Sequence, residues 1–250
     1  MSNNSFEFYA DIYDAFYVDK NYKIECNNLI NIAKSITLNL ERCLEIGAGS
    51  GIFTKELAKQ FNQIEAFELS PSMAKICANN LSNFSTVNVN QGDLNKTLHS
   101  KVEKFSIDMV VANFHVFTYF TNNEVDLFIE ICKLFLRSGG IACFDFWDLD
   151  AVIANPPKSV TKAAIHKGRE LTRKTFPSSN NLFTEVEVNF EFYDKSTLLF
   201  KESHRMHPRS LNEVKARFEE SFVFHGSFDI STGESYSQKN YGNLVFFEKK

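Results

Sequence analysis

Apolar positions along residues 20–147 alternate between two periods. Leu29, Ile32, Ala33, Ile36 and Leu40 keep helical spacing, which predicts an amphipathic helix over residues 20–38. A short apolar run, Cys43 to Ile46, follows as a buried strand. Phe53, Leu57, Ala58 and Phe61 then share one helical face. Ile64 to Glu68 reads as a second strand. Ser70 is a candidate N-cap, Pro71 suits the first helical position, and Met73, Ile76, Cys77 and Leu81 form the face of the helix they open. Val87 and Val89 alternate as a third strand, which runs out in Gln91-Gly92-Asp93-Leu94. Ile107 to Ala112 is a fourth. Val125, Phe128, Ile129, Cys132 and Leu136 make a helix stopped by Gly139-Gly140, and Ile141 to Trp147 is a fifth strand. This alternation predicts an α/β fold with a doubly wound, mostly parallel sheet.

The alternation breaks after residue 147. Pro156, Pro157 and Pro177 punctuate the next stretch. Val186, Val188, Phe190 and Phe192 then face one way, and Glu185, Glu187, Asn189 and Glu191 the other. That is a half-buried antiparallel strand. Asp194-Lys195-Ser196 reads as a turn, with Leu198 to His204 as its hairpin partner. Residues 148–208 are therefore expected to be an inserted antiparallel β element after strand five. Ser210-Leu211-Asn212-Glu213 is a capping box, and its helix carries Leu211, Val214 and Phe218. Phe222 to Phe228 and Leu244 to Phe247 finish a seven-stranded sheet.

Composition narrows the function classes. The 250 residues are 44% hydrophobic, enough for one ordinary domain with an insertion. A formal net charge of −4 gives no electrostatic case for nucleic acid as partner. The first 30 residues hold no signal-peptide hydrophobic region and no run approaches 18 apolar residues, so no membrane partner and a cytoplasmic location are expected. Cys26, Cys43, Cys77, Cys132 and Cys143 form no C-x-x-C and read as reduced core residues. His204 and His207 could begin a metal site, but no third ligand is evident and no metal is expected. The 26 phenylalanines point to a Phe-rich core or an aromatic pocket.

The chemistry concentrates at Glu45-Ile46-Gly47-Ala48-Gly49-Ser50-Gly51, between the first strand and its helix. Glycines belong there because the turn is tight and a ligand must approach bare backbone. A dinucleotide fingerprint would place glycine at position 52, where Ile52 stands, and no P-loop Lys-Ser/Thr follows. Glu68 ends the second strand about 20 residues on, where a carboxylate can accept hydrogen bonds from ribose hydroxyls. Ligands of such sheets bind beyond the carboxyl ends of the strands, which places Asn113, Phe114 and His115 near the reacting centre. His115 could act as a base or orient an acceptor. Trp147, the single tryptophan, ends the fifth strand as core or pocket wall. Tyr9, Tyr13, Tyr17 and Tyr22 crowd the N-terminal segment, which reads either as an aromatic helix packed on the domain or as a lid.

Glu45-x-Gly-x-Gly-x-Gly resembles motif I of the class I S-adenosylmethionine (SAM)-dependent methyltransferases. The elements after it fall in that family's order, so the likeness covers roughly residues 20–147 and 209–248. It implies a Rossmann-like SAM-binding domain over 1–147 and 209–250, whose last strand is antiparallel, with residues 148–208 as a roof over the acceptor. Residues 1–22 would be a lid, since Tyr13-Asp14-x-x-Tyr17 resembles the start of many small-molecule members. The resemblance implies cofactor contacts at Tyr22, Glu45, Gly47, Ala48, Gly49, Gly51, Glu68, Leu69, Asp93, Leu94 and Asn113, with Lys20 or Tyr22 near the methionine carboxylate. His115 and Tyr13 would be catalytic. Tyr17, Phe117, Trp147, His204 and Arg205 would meet the acceptor, and Arg205 or Arg209 could hold an anionic group on it. The implied reaction is methyl transfer from SAM to a small molecule. The first reading is an amino group, as in nucleotide-aminosugar N-methyltransferases. A hydroxyl or carboxylate acceptor is the alternative, and a non-catalytic protein binding SAM or S-adenosylhomocysteine (SAH) is a third reading. A homodimer is allowed.

Overall fold

The computed structural model describes residues 6, 9–37, 39–92, 98 and 100–250. A 3-10 helix, Ala10–Tyr17, precedes α1, Tyr22–Ile36, whose first turn is capped by the Asn21 side chain accepting from Ile24 N–H at 3.1 Å. Next come β1 (Arg42–Ile46), α2 (Ile52–Leu57), β2 (Gln63–Glu68), α3 (Pro71–Asn80), β3 (Val87–Gln91) and β4 (Ile107–Ala112). Ser70 caps α3 with Pro71 at its start, as the sequence predicts. A short 3-10 turn, Val116–Tyr119, leads to α4 (Asn122–Phe135), β5 (Leu136–Trp147) and α5 (Leu149–Ala154). The chain closes with α6 (Leu211–Phe218), β10 (Phe222–Phe228) and β11 (Gly242–Lys249).

The main sheet has seven strands in the order β10-β11-β5-β4-β1-β2-β3. β11 runs antiparallel between β10 and β5, and the strands from β5 to β3 are parallel. Successive residues on each strand feed opposite faces. Leu44, Val110, Ala142, Phe144 and Val245 join one hydrophobic core, and Cys43, Met109, Val111, Ile141 and Phe246 the other. Much of the phenylalanine excess is in the first core. Phe117 stacks on Phe144 with centroids 4.2 Å apart, and Phe218 on Phe247 at 4.4 Å. All five cysteines are buried and free.

Residues 160–206 form a separate antiparallel sheet, β6-β7-β8-β9. β8 (Val186–Asp194) and β9 (Thr197–Met206) are the expected hairpin. β6 (Val160–His166) and β7 (Arg169–Ser179) enlarge the insertion beyond it. Lys167 and Gly168 both have positive φ, 50° and 76°, the conformation of a two-residue hairpin turn. Pro177 is tolerated because β6 pairing stops at Val160 opposite Thr175, so β7 is an edge beyond that point. The insertion leaves and returns at one place. Asp148 and Arg209 are bridged, and Arg209 N–H donates to Trp147 O at 3.0 Å.

Candidate active site

The glycine turn lies beyond the carboxyl end of β1. The sheet order reverses there, between β4 and β2, and opens a crevice. Gly47, Gly49 and Gly51 all have left-handed φ, at 76°, 58° and 82°. Their surroundings differ. A Cβ on Gly47 would lie 2.5 Å from Val116, and one on Gly51 2.9 Å from Cys77 Sγ. A Cβ on Gly49 would meet nothing within 4 Å among the described residues. Gly47 and Gly51 are therefore required by packing, and Gly49 faces open space. Gly49 N–H donates to Glu68 Oε2 at 2.9 Å, and Ser70 N–H to Glu68 Oε1 at 2.8 Å, which fixes the carboxylate beside the turn.

Above this edge lies a cavity of about 580 Å³. Its floor includes Glu45, Gly47, Ala48, Gly49, Glu68 and Leu69, and its far wall Asn113, His115 and Trp147. The second sheet covers it with Arg173, Phe190, His204 and Met206. Tyr9, Tyr13, Tyr17, Lys20 and Tyr22 close it from the N-terminal side. The 3-10 helix packs Tyr9 and Phe16 against Phe192 of the second sheet, and Asp14 reaches the glycine turn, accepting from Ser50 Oγ at 2.6 Å. The segment is thus a packed aromatic helix that also lines the cavity.

Some expected residues lie elsewhere. Phe117 is 1% exposed and belongs to the core, because the 3-10 turn rotates it inward while Val116 and Tyr119 face the cavity. Arg205 is on the outer face of β9 and pairs with Glu185 at 3.6 Å. Arg209 is buried and spends its guanidinium on the carbonyls of His207 and Phe120. Gly51 does not line the cavity but starts α2 against α3. Asp93 and Leu94 lie outside the described residues.

The far wall is set by strained backbone. Phe114 and His115 both adopt left-handed φ, at 60° and 63°. Asp145 of β5 holds this kink by accepting from His115 N–H at 2.8 Å. Its other oxygen lies 2.7 Å from His115 Nδ1, off the axis of a straight hydrogen bond. Beside it the Asn113 amide is buried, and neither its oxygen nor its nitrogen has a partner among the described residues. Such a group is costly unless a ligand completes it. Burial pushes the Glu45 carboxyl up to about 7, with the Glu68 carboxylate adding in the same direction. Burial likewise pushes the Tyr13 and Tyr119 phenols above their ordinary range, so both are neutral at pH 7. Tyr119 Oη meets His204 Nδ1 at 2.8 Å, and His204 Nε2 meets Glu202 at 3.1 Å, so this pair of side chains ties the second sheet to the first.

Asp145, Arg173, Glu202 and Tyr119 were not singled out by the sequence. Asp145 left one signal, an acid inside the apolar run Ala142 to Trp147. Arg173 left none, because its strand shows no clean alternation.

Residues 43–140 match the family model for a methyltransferase domain. The chain carries a methyltransferase domain. The dTDP-3-amino-3,4,6-trideoxy-α-D-glucopyranose N,N-dimethyltransferase of Streptomyces venezuelae is 25% identical over 189 residues, 74% of this chain and 76% of that protein. The ribosomal RNA small subunit methyltransferase A of Mycoplasmopsis synoviae is 25% identical over 182 residues, 70% of this chain but 63% of that protein. Among solved structures, SAM-bound CalS10, an amino pentose methyltransferase from Micromonospora echinaspora, superposes with a TM-score of 0.69. It is 17% identical, and all of both chains is covered. At that identity the likeness is one of fold.

SAM is the methyl donor that the methyltransferase domain fits. The open side of Gly49 admits a ligand against backbone, and Glu68 stands at the strand end where ribose hydroxyls would be held. The unpartnered Asn113 amide offers a donor and an acceptor to the same ligand.

Proposed function

We propose that this chain transfers the methyl group of SAM to an amino group of a small molecule, with a nucleotide-linked aminosugar as the leading candidate. The observation that carries the reading is the roofed cavity. The second sheet and the tyrosine segment roof the edge where methyl transfer would occur, leaving about 580 Å³ for ligand. That volume suits a cofactor and a compact acceptor better than a folded polymer. The relative from Streptomyces venezuelae, an aminosugar N,N-dimethyltransferase by name, supports the amine.

Bound SAM supplies an electrophilic methyl group on a sulfonium, which is already a good leaving group. The chain's task is then alignment and exclusion of water. In this reading Glu68 accepts from the ribose hydroxyls and the Gly47–Gly49 backbone approaches the ligand. Lys20 or Tyr22 meets the methionine carboxylate. The Tyr13 phenol, kept neutral by burial, orients the acceptor by hydrogen bonding and does not serve as a phenolate. His115, held by Asp145, accepts the proton that an amine gives up. Trp147 and His204 line the acceptor's side of the cavity, and Tyr17 closes it.

The His115–Asp145 pair also favours a second reading. A hydroxyl acceptor needs a base in a way that a neutral amine does not, and this pair would provide one. Labelled methyl transfer from SAM into a panel of aminosugar nucleotides, hydroxy compounds and carboxylic acids separates the two. Label in the amines supports the first reading. Label confined to hydroxyls or carboxylates overturns it.

A further inference from the structure

Arg173 lies on β7, on the face of the second sheet that covers the cavity. Its neighbours are aromatic. The guanidinium carbon lies 5.2 Å from the Phe16 ring centre, 5.4 Å from Tyr17 and 5.5 Å from Phe190. One of its terminal nitrogens donates to the phenol oxygens of Tyr9 and Tyr17, the latter at 3.2 Å. Nε is buried and has no partner among the described residues.

The missing element is a counter-charge. Arg137, Arg169, Arg205, Arg209 and Arg217 each pair with a carboxylate. Arg42, at the start of β1, and Arg173 have no ion pair among the described residues, and of the two only Arg173 lines the cavity. Glu202, a buried acid opposite Phe190, is one row away, and Asp194, one row the other way, is paired with Arg169. Glu202 is already engaged by Tyr9 N–H at 3.2 Å and His204 at 3.1 Å. Burial raises the Tyr9 phenol above its ordinary range, so that group accepts a hydrogen bond without supplying charge. Cation–π contact offsets only part of the cost of a desolvated guanidinium. An arginine built into a cavity roof with a free donor and no anion is a site awaiting one, and its planar fork suits carboxylate or phosphate oxygens. Lys158, at the rim of the same cavity, also has no ion pair among the described residues.

We propose that Arg173 is the anion-binding subsite of the acceptor pocket, and that the acceptor carries a carboxylate or phosphate group besides the methylated atom. This rests on the methyltransferase reading only in assigning the anion to the acceptor and not to the cofactor. It replaces Arg205 and Arg209, which the fold turns away from the cavity.

The test is calorimetric titration of the SAH-saturated full chain with inorganic phosphate, and separately with acetate, at constant ionic strength. The expected result is saturable binding of at least one anion, and which one binds distinguishes a phosphorylated acceptor from a carboxylic one. Arg173→Met should weaken that binding by about 10- to 150-fold, the worth of hydrogen bonds to a charged group. Arg173→Lys, which keeps charge but loses the fork, should fall between. Arg205→Ala should bind like the native chain, and SAH affinity should be equal in all four proteins. No saturable anion binding by the native chain, or binding that survives Arg173→Met, overturns the proposal. A parallel loss of SAH affinity in Arg173→Met and Arg173→Lys also overturns it and makes the residue a clamp between roof and tyrosine segment. Because anion binding is read without turnover, failure of the methyl-acceptor panel and failure of this subsite are separate results.

Discussion

At the scale of single residues, two glycines two positions apart have different reasons to be glycine. Gly47→Ala forces a Cβ to within 2.5 Å of Val116 at a left-handed φ. Overpacking of that kind costs about 1–3 kcal/mol, so its unfolding midpoint should fall by several degrees. Gly49→Ala has only the backbone strain, about 1–2 kcal/mol, but places its methyl toward the ligand. It should keep more of the midpoint than Gly47→Ala and lose SAM binding. Equal midpoints with equal SAM affinity would refute the division. Glu45 carries a pH prediction. Its folded carboxyl titrates at about 7 against an ordinary 4.5. Below pH 4.5 both states hold the proton and the group is neutral to stability. Between 4.5 and 7 the unfolded chain ionises first, so a penalty grows, and above 7 it levels off at roughly 3 kcal/mol. Glu45→Gln should therefore gain stability relative to the native chain between pH 5 and pH 8, measured by urea midpoints. A pH-independent difference would mean that Glu45 titrates normally. The sequence exposed both positions through the motif, but not that Gly47 answers to Val116 and Gly49 to open space.

At the scale of elements, the tyrosine segment depends on few attachments to the main domain. Asp14 to Ser50 is its polar link to the glycine turn, and its apolar side packs on the second sheet. Asp14→Asn should weaken that link, make cleavage after Lys20 or Lys23 faster in limited proteolysis, and slow again when SAM is added. Unchanged cleavage in the variant would show that packing alone holds the segment. β1, β2, β4 and the second half of β5 were legible because both faces are buried, so each reads as a short apolar run, whereas β3 at the sheet edge was read from alternation. β8 was legible because one face is solvated and it alternates. β6 and β7 were not, since Arg173 and Thr175, which line the cavity, and Lys162 opposite Arg173 are polar and erase the period-2 pattern. Their one local signal was Lys167-Gly168, which is weaker as turn chemistry than Asn-Gly or Asp-Gly.

At the scale of the whole molecule, the cavity is shared by three parts of the chain: the strand ends of the main sheet, the second sheet and the N-terminal segment. SAM or SAH at 100 times its dissociation constant should stabilise the fold by about 2.7 kcal/mol. For a chain of this length that is roughly 5–10 °C in unfolding midpoint, and NADH should give none. No shift with millimolar SAM or SAH would remove the methyltransferase site from use and favour a chain that has lost its ligand. The sequence by itself determined the order of the main strands and helices, the glycine turn and the acid at the end of β2. Each is written in local periodicity or in backbone demands on single residues, which act over a few positions. Tertiary structure alone decided that Phe117 turns into the core and that Asp145 meets His115 across 30 residues. It also decided that Arg173, and not Arg205 or Arg209, stands over the ligand. These depend on which face of a strand or turn points inward once distant elements pack, and no local pattern carries that information.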